Sequence, residues 1–321
     1  MSQDITKAVR RAHQDIQEIF RANQGGVAQA VTDARDRLAV LPRIDTDDPV
    51  HWDACKSVCA DLGVLLGFLA ETSLPCSEPA GFRSLVLSIL WYLYVAEQNQ
   101  RGLVMAREIH RRWTAELGPE HLSRVAACER HATFLFALGE AKSALPLLQE
   151  SAQLLSRISG PSSPGALLGA VNVCACLNET GDRHEALRLS QNLIRDCEQA
   201  LGRLSGTTIR AVAAFAGSMY WLGEYQVALD AYADVYQRRL RVYGKDHLES
   251  LNAADSLAIT QAKSGNHEAA RTLNEDVLRR YEKLLGKKDE RCKSARDRLI
   301  ANLRALGRDG EADALWRMNR F

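Results

Sequence analysis

The sequence predicts an all-α fold: a solenoid of helix-turn-helix repeats with an N-terminal helical cap. Three observations carry this. A glycine follows a helical run at Gly139, Gly181, Gly223, Gly265 and Gly307, each 42 residues after the last, with an alanine five residues beyond each (Ala144, Ala186, Ala228, Ala270, Ala312). A second series, Gly118, Gly160, Gly202, Gly244 and Gly286, repeats with the same step of 42. The composition is dominated by Ala, Leu, Arg, Glu and Gln, without alternating Val, Ile and Thr, which is helix-forming material. Two glycine series in one register over five units mark a repeat array.

Residues 1–78 read as an N-terminal helical segment or cap, with helices over 3–23, 27–40 and 51–72. The first is amphipathic, with Ile5, Val9, Ile16, Ile19 and Phe20 on one face. Residues 79–321 read as the array, about six repeats of which the first is degenerate. One period before Gly139 stands Glu97, with Gly102 at the alanine position, so 80–96 forms helix A of that unit and 98–115 helix B. One step earlier come Cys55 and Ala60, which makes 51–72 a pseudo-B helix. Its partner would contain Pro42, Asp45-Thr-Asp-Asp48 and Pro49, so that repeat is broken. In the regular units the first glycine occupies the A–B turn, the alanine lets the partner helix approach, and the second glycine ends helix B. The fourth full unit is typical, with A over Leu248–Ser264, B over Asn266–Leu285, and Leu251, Ala254, Leu257 and Ala258 forming an apolar stripe. The last helix B carries Trp316, and Arg317, Asn319 and Arg320 give the end of the stack a polar face.

The totals narrow the function. Lys plus Arg is 41 against 40 for Asp plus Glu, without the basic excess of a nucleic-acid binder, so no nucleic-acid partner is expected. The longest strongly apolar stretch, Gly63–Ala70, is too short to span a bilayer, and the polar N-terminus lacks a signal-peptide core, so a cytoplasmic protein with no membrane partner is expected. The 8 cysteines lie mostly inside helical patterns, as reduced core thiols do. His51, Cys55 and Cys59 share a helix face but lack a fourth ligand, so they read as buried thiols rather than a metal site. Cys174 and Cys176 point to opposite sides of a helix and are no redox pair. No phosphate loop, nucleophile elbow or His-Glu-x-x-His motif occurs, so neither a cofactor nor catalysis is expected. His121 and His247 recur at one repeat position, where a helix begins, and His131 stands where other units have Val173, Phe215 and Leu257, which suggests a satisfied interior histidine.

The segment Gly244-Lys-Asp-His247, Ser250-Leu251, Leu257-Ala258 and Gly265-Asn-His-Glu-Ala-Ala270, echoed by Gly118-Pro-Glu-His121, resembles the tetratricopeptide repeat, in the 42-residue form similar to kinesin-light-chain repeats. The resemblance covers Pro79 to Phe321 and implies a right-handed superhelix whose concave face is lined by A helices. It also implies which positions face the groove, chiefly those ten, nine, six, three and two residues before the turn glycine. The candidates are Trp91 and Tyr94, Glu129 and Arg130, Asn172 and Asn178, Tyr220 and Trp221, Asp255 and Lys263, and Arg298 and Arg304, with Arg210 and Asn252 as further donors. Gly217 would leave open floor beside the rings of Tyr220 and Trp221. Kinesin-light-chain repeats place paired asparagines at the first two positions, and here only Asn172 keeps that chemistry, so the family's cargo preference is not carried over. The expected function is an adaptor or scaffold that recognises a protein or peptide segment in the groove. The alternatives are self-assembly as a homo-oligomer through the N-terminal helices or the convex face, a peptide-sensing regulator, or an enzyme whose site lies in residues 1–78 and the groove mouth.

Overall fold

The computed structural model describes residues 2–21, 26–72 and 74–318. Among them every regular element is helical. Three helices precede the repeats: α1 (Ser2–Arg21), α2 (Val27–Ala39) and α3 (Trp52–Glu71), the last entered through a 3-10 turn at Pro49–His51. The repeats then follow as A/B pairs: α4 (Ala80–Val95) and α5 (Asn99–Leu117), α6 (Leu122–Ala137) and α7 (Ala141–Ser159), α8 (Pro164–Thr180) and α9 (Arg183–Leu201). They continue as α10 (Gly206–Leu222) and α11 (Tyr225–Tyr243), α12 (Leu248–Lys263) and α13 (His267–Leu285), and α14 (Glu290–Ala305) and α15 (Asp309–Met318). The expected helix at 3–23 ends at Arg21, residues 22 and 23 lying outside the described residues, as do Asn319 and Arg320 of the expected polar end face. Trp316 is partly exposed on α15.

The register appears in the backbone. The turn glycines Gly139, Gly181, Gly223, Gly265 and Gly307 take φ between 71° and 99°, where an L side chain is strained. Glu97 is the non-glycine residue with positive φ among the described residues, at 57°, in the slot the period assigns to a turn glycine. The amide that follows it, Gln98 N, donates to Leu93 O at 2.8 Å, matching Glu140 N to Leu135 O at 2.9 Å and Asn266 N to Gln261 O at 2.8 Å. The degenerate unit therefore closes its turn as the others do, with a residue ill suited to the conformation.

Helix starts obey the period too. His121 and His247 accept from the backbone N–H two residues on, Nδ1 lying 3.1 Å from Ser123 N and from Glu249 N. Asp289 and Ser163 stand at the same register position and accept from Arg291 N at 3.0 Å and Ala166 N at 3.3 Å. These histidines are N-caps, with an imidazole nitrogen in the role a carboxylate or hydroxyl fills elsewhere.

The alanine series is fully buried at Ala144, Ala186, Ala228, Ala270 and Ala312, as close helix approach requires. At Gly102 a Cβ would lie 2.1 Å from the ring of Phe134, so even alanine has no room there.

Contacts divide the chain into two compact units, one up to Gly160 and one from Pro161 onward. Residue 78, where the sequence places a change of organisation, lies inside the first. There one hydrophobic cluster joins α1–α3 to α4, α5 and α6, with Leu62, Leu65, Phe82, Ile89, Trp113 and Phe134 fully buried. The apolar face of α1 is buried within this chain: Val9 and Ile16 are inaccessible, Phe20 stacks on Phe68 at 5.0 Å, and His13 Nδ1 lies 2.7 Å from Asp61 Oδ1. The surface through which self-association was expected is thus covered by α2 and α3. The stretch between α3 and α4 is tied to the end of α5, where Trp113 Nε1 donates to Cys76 O at 3.1 Å, Arg112 to Leu74 O at 2.8 Å, and Glu116 accepts from Ser77 N at 2.8 Å.

In the second unit the pairs α8/α9 to α14/α15 pack consecutively, each B helix against the next A helix. Asn178 on α8 donates to Ala214 O at 3.1 Å and accepts from Ser218 at 2.9 Å, and so ties α8 to α10 through a buried polar joint.

Candidate functional site

In the first unit α4 and α6 bring Trp91, Tyr94 and Arg130 together. The Arg130 guanidinium lies 4.8 Å from the centre of the Trp91 ring, and the Tyr94 ring is 5.1 Å from the same indole. Such a cation over an indole face is attracted by the ring quadrupole. Trp91 Nε1 donates to Asp47 Oδ1 at 2.6 Å, so the acidic linker that breaks the earlier repeat folds back onto the A-helix face. Glu129 is half-buried beside Arg130. Asp47 was not foreseen as a site residue, because nothing in a broken repeat fixes where its loop returns.

In the second unit the candidates fall into different states. Arg210 on α10 donates to Asn172 Oδ1 on α8 at 2.6 Å. Since a guanidinium only donates, this fixes the amide: its oxygen is occupied and its Nδ2 remains to donate. Asn252 on α12 is exposed, and its Oδ1 accepts from Tyr281 at 2.7 Å. Arg239, whose side chain is 12% exposed, donates to Glu249, and burial pushes its guanidinium below the ordinary range, with Glu249 opposing and Arg210 adding to the effect. Asp255 and Arg298 pair at 2.5 Å between α12 and α14, and burial raises the Asp255 carboxyl while Arg298 opposes it. Lys263 is exposed and has no hydrogen bond or ion pair among the described residues. Arg304 is exposed, 3.6 Å from Asp313. Asn178 is 5% exposed with its amide satisfied, so it presents nothing to a ligand.

The end of α10 adds an exposed ring to this face. Trp221 is 41% exposed, with Tyr220 edge-on at 5.4 Å and Tyr225 5.7 Å from Tyr220. Arg183, the first residue of α9, covers one face of Trp221 at 5.0 Å and donates to its carbonyl at 3.2 Å. The floor at Gly217 is not open, since a Cβ there would meet Asn178 Nδ2 and Tyr232 Oη at 3.5 Å. Arg183 and Tyr225 were missed because they open B helices. Reading the residue two past each turn glycine beside the end of the neighbouring A helix would have found them.

The other singled-out residues are interior. Cys55, Cys59, Cys174 and Cys176 are buried free thiols, and burial pushes Cys55 and Cys174 up to about 12. No cluster of three or more metal-ligating side chains occurs among the described residues. No helix there is long and apolar enough to cross a membrane. His131 Nδ1 meets His110 Nδ1 at 3.3 Å across the α5–α6 seam. One nitrogen must donate and the other accept, so the pair is satisfied only while at least one ring is neutral. Burial lowers His110 to about 4, with Arg124 and His131 adding and Glu150 opposing, and burial also lowers His131, with Arg107 adding.

A histidine whose folded pKa is depressed binds protons less readily folded than unfolded. Stability therefore falls as pH drops below about 6.5 and levels off below about 4 for His110. Between pH 7 and 4.5 the wild type is expected to lose on the order of 2 kcal/mol more than His110→Gln in urea unfolding. Parallel pH profiles would contradict this.

Residues 207–283 match the family described as tetratricopeptide repeat, over α10 to α13. The chain thus carries tetratricopeptide repeats in its second unit. The 42-residue period of the glycines runs through the matched residues and beyond them, from Gly118 to Gly307. Among solved structures the repeat protein is similar to BtubC (BKLC) from P. vanneervenii, at 14% identity and TM-score 0.54 over 70% of this chain and 88% of that one. It is similar to a Rap protein complexed with competence and sporulation factor, at 10% identity and TM-score 0.51, over 99% and 97% of the two chains. The apo form of RapI matches at 10% identity and TM-score 0.50, over 80% and 93%. At these identities the likeness is one of fold. No curated protein matches.

Proposed function

We propose that this chain is a polypeptide-binding scaffold, not an enzyme, and that it recognises a segment of a partner protein with the face formed by its A helices. The observation that carries the reading is the α8–α10 surface. An amide and a guanidinium, locked to each other at 2.6 Å, offer their remaining N–H donors, and one face of α10 leads from them to the exposed Trp221 and the half-buried Tyr220. Oriented donors suit the carbonyls and carboxylates of an extended chain, and aromatic and arginine side chains are enriched where binding energy concentrates. Repeat arrays place function on such a face because their cores are filled by neighbouring repeats. The fold it shares with a Rap protein solved in complex with competence and sporulation factor supports the same reading.

The test is a display selection of random peptides on the full chain, followed by titration of the selected peptide into variants. Trp221→Ala and Arg210→Gln are each expected to weaken binding by about 10- to 100-fold with unchanged helicity. Unchanged affinity in both would remove the site from this face.

A further inference from the structure

In the second unit three connections lead from a B helix to the next A helix, at 202–205, 244–247 and 286–289. They are neighbours along one edge. Arg238 of α11 donates to Arg203 O at 3.0 Å, a Cβ at Gly206 would lie 3.3 Å from Tyr243 Oη, and Arg280 of α13 donates to Asp246 at 2.7 Å. The period places cations in rows on this edge. The residue after each helix-ending glycine is Arg203, Lys245 or Lys287, where Pro119 and Pro161 stand earlier in the chain. Arg241 and Lys283 repeat three residues before the glycine, and Lys288 adds a sixth charge. All six are exposed. The side chains of Arg241, Lys245, Lys283, Lys287 and Lys288 make no ion pair or hydrogen bond among the described residues, and Arg203 lies 3.4 Å from Glu198. The carboxylates of the edge are engaged by other cations: Asp246 by Arg280, Asp289 by Arg291 at 2.9 Å, Glu198 by Arg238 at 3.2 Å, and Glu290 faces Lys293 at 3.7 Å. Among the cations stand two exposed aliphatic side chains, Leu204 at 48% and Val242 at 41%.

This mixture selects a kind of partner. Cations without carboxylates beside them leave a positive potential that a polyanion meets. Aliphatic side chains set among them gain from the same partner when it also offers an apolar layer. The surface of an anionic bilayer has both, with phosphates and carboxylates outside and acyl chains beneath. A single-stranded nucleic acid has the charge, but it would also seek an aromatic face for its bases. The ring nearest to hand, Tyr243, is stacked on His247 at 4.7 Å and 20°, and the open side chains are Leu and Val.

We propose that this edge attaches the protein to the surface of an anionic lipid bilayer, with Leu204 and Val242 entering the headgroup layer and the six cations meeting lipid phosphates and carboxylates. Attachment is peripheral, through loop tips. It departs from the expectation of no membrane partner, which rested on the length needed to span a bilayer and on a signal-peptide core. The A-helix face with Trp221 takes no part in it.

The test is co-sedimentation of the full chain with vesicles of phosphatidylcholine, alone or with about one third phosphatidylserine. Binding is expected to the mixed vesicles and not to the neutral ones, with release at about 0.5 M salt. Lys245→Gln combined with Lys287→Gln is expected to weaken partitioning about 30-fold, the effect of two lysines at an anionic surface. Leu204→Ser combined with Val242→Ser is expected to weaken it about tenfold while leaving any binding of soluble poly-glutamate unchanged. These side chains are exposed, so helicity should be that of the wild type in both variants. Trp221→Ala is expected to bind vesicles as the wild type does, which separates this edge from the A-helix face. Failure to sediment with the mixed vesicles, equal sedimentation with neutral ones, or full binding by the lysine variant overturns the proposal. Poly-glutamate bound as tightly as the vesicles, with vesicle binding unchanged by the Leu204 and Val242 changes, overturns the bilayer in favour of an acidic chain.

Discussion

Trp113→Ala is expected to lower the stability of the first unit by about 3–5 kcal/mol, as truncation of a fully buried large aromatic does. The residue is inaccessible, and its indole N–H also holds Cys76 O at 3.1 Å. Its loss would therefore open a cavity in the cluster shared by α1–α6 and release the stretch that leads from α3 into α4. Arg112 and Glu116 grip the same stretch at 2.8 Å each, so the end of α5 is the clamp by which the cap is joined to the array. Trp113→Phe keeps most of the volume but not the N–H and should cost less than the alanine change, about 1–3 kcal/mol. Urea unfolding of both variants, followed by far-ultraviolet circular dichroism, checks the order. A loss under about 1 kcal/mol for Trp113→Ala would show that the clamp is not needed.

Gly102→Ala has the second-largest expected effect, and its sign runs against helix propensity. In an open helix the change would gain about 1 kcal/mol. Here the added methyl would stand 2.1 Å from the buried ring of Phe134, and a net loss of about 1–3 kcal/mol is expected. The register explains why. The position of Phe134 is filled by Cys176, Ser218, Thr260 and Asn302 in the later repeats, and the position of Gly102 by alanine in all of them. The first repeat has exchanged a methyl on one helix for a ring on the next. A double-mutant cycle of Gly102→Ala with Phe134→Cys should show a favourable coupling of at least about 1 kcal/mol, because each change makes room for or fills the other. Additive effects, or a Gly102→Ala protein more stable than the wild type, would contradict the exchange.

The repeat was legible because its determinants are local. A left-handed turn calls for glycine, and five glycines at one spacing leave little freedom for the helices between them. Glu97 shows how far the period reaches: no property of glutamate predicts φ of 57°, yet the register places a turn there. Side-chain roles were less accessible. His121 and His247 were recognisable as marking a helix start, but capping through Nδ1 depends on backbone geometry that the residue type does not reveal.

The site divides in the same way. Asn172 and Asn178 are both asparagines on predicted groove positions of one helix. One is turned to a guanidinium at the surface and the other is buried on Ser218, a difference decided by residues about 40 positions away on α10. Asp255 and Arg298 were expected on one face and are found paired with each other, which leaves Asn172, Arg210 and Asn252, the exposed cations Lys263 and Arg304, and the rings of α10 as the accessible chemistry. Arg183 and Asp47 come from a B helix and a linker, outside any rule that reads A helices alone.

The most direct test of the A-helix face is hydrogen exchange of the full chain, with and without a peptide obtained by display selection. Slowed exchange is predicted in α8, α10 and α12, with the side chains of Asn172, Arg210 and Trp221 needed for it. Protection confined to the B helices α9, α11 and α13, or to α1–α3, would place the partner elsewhere and contradict the account.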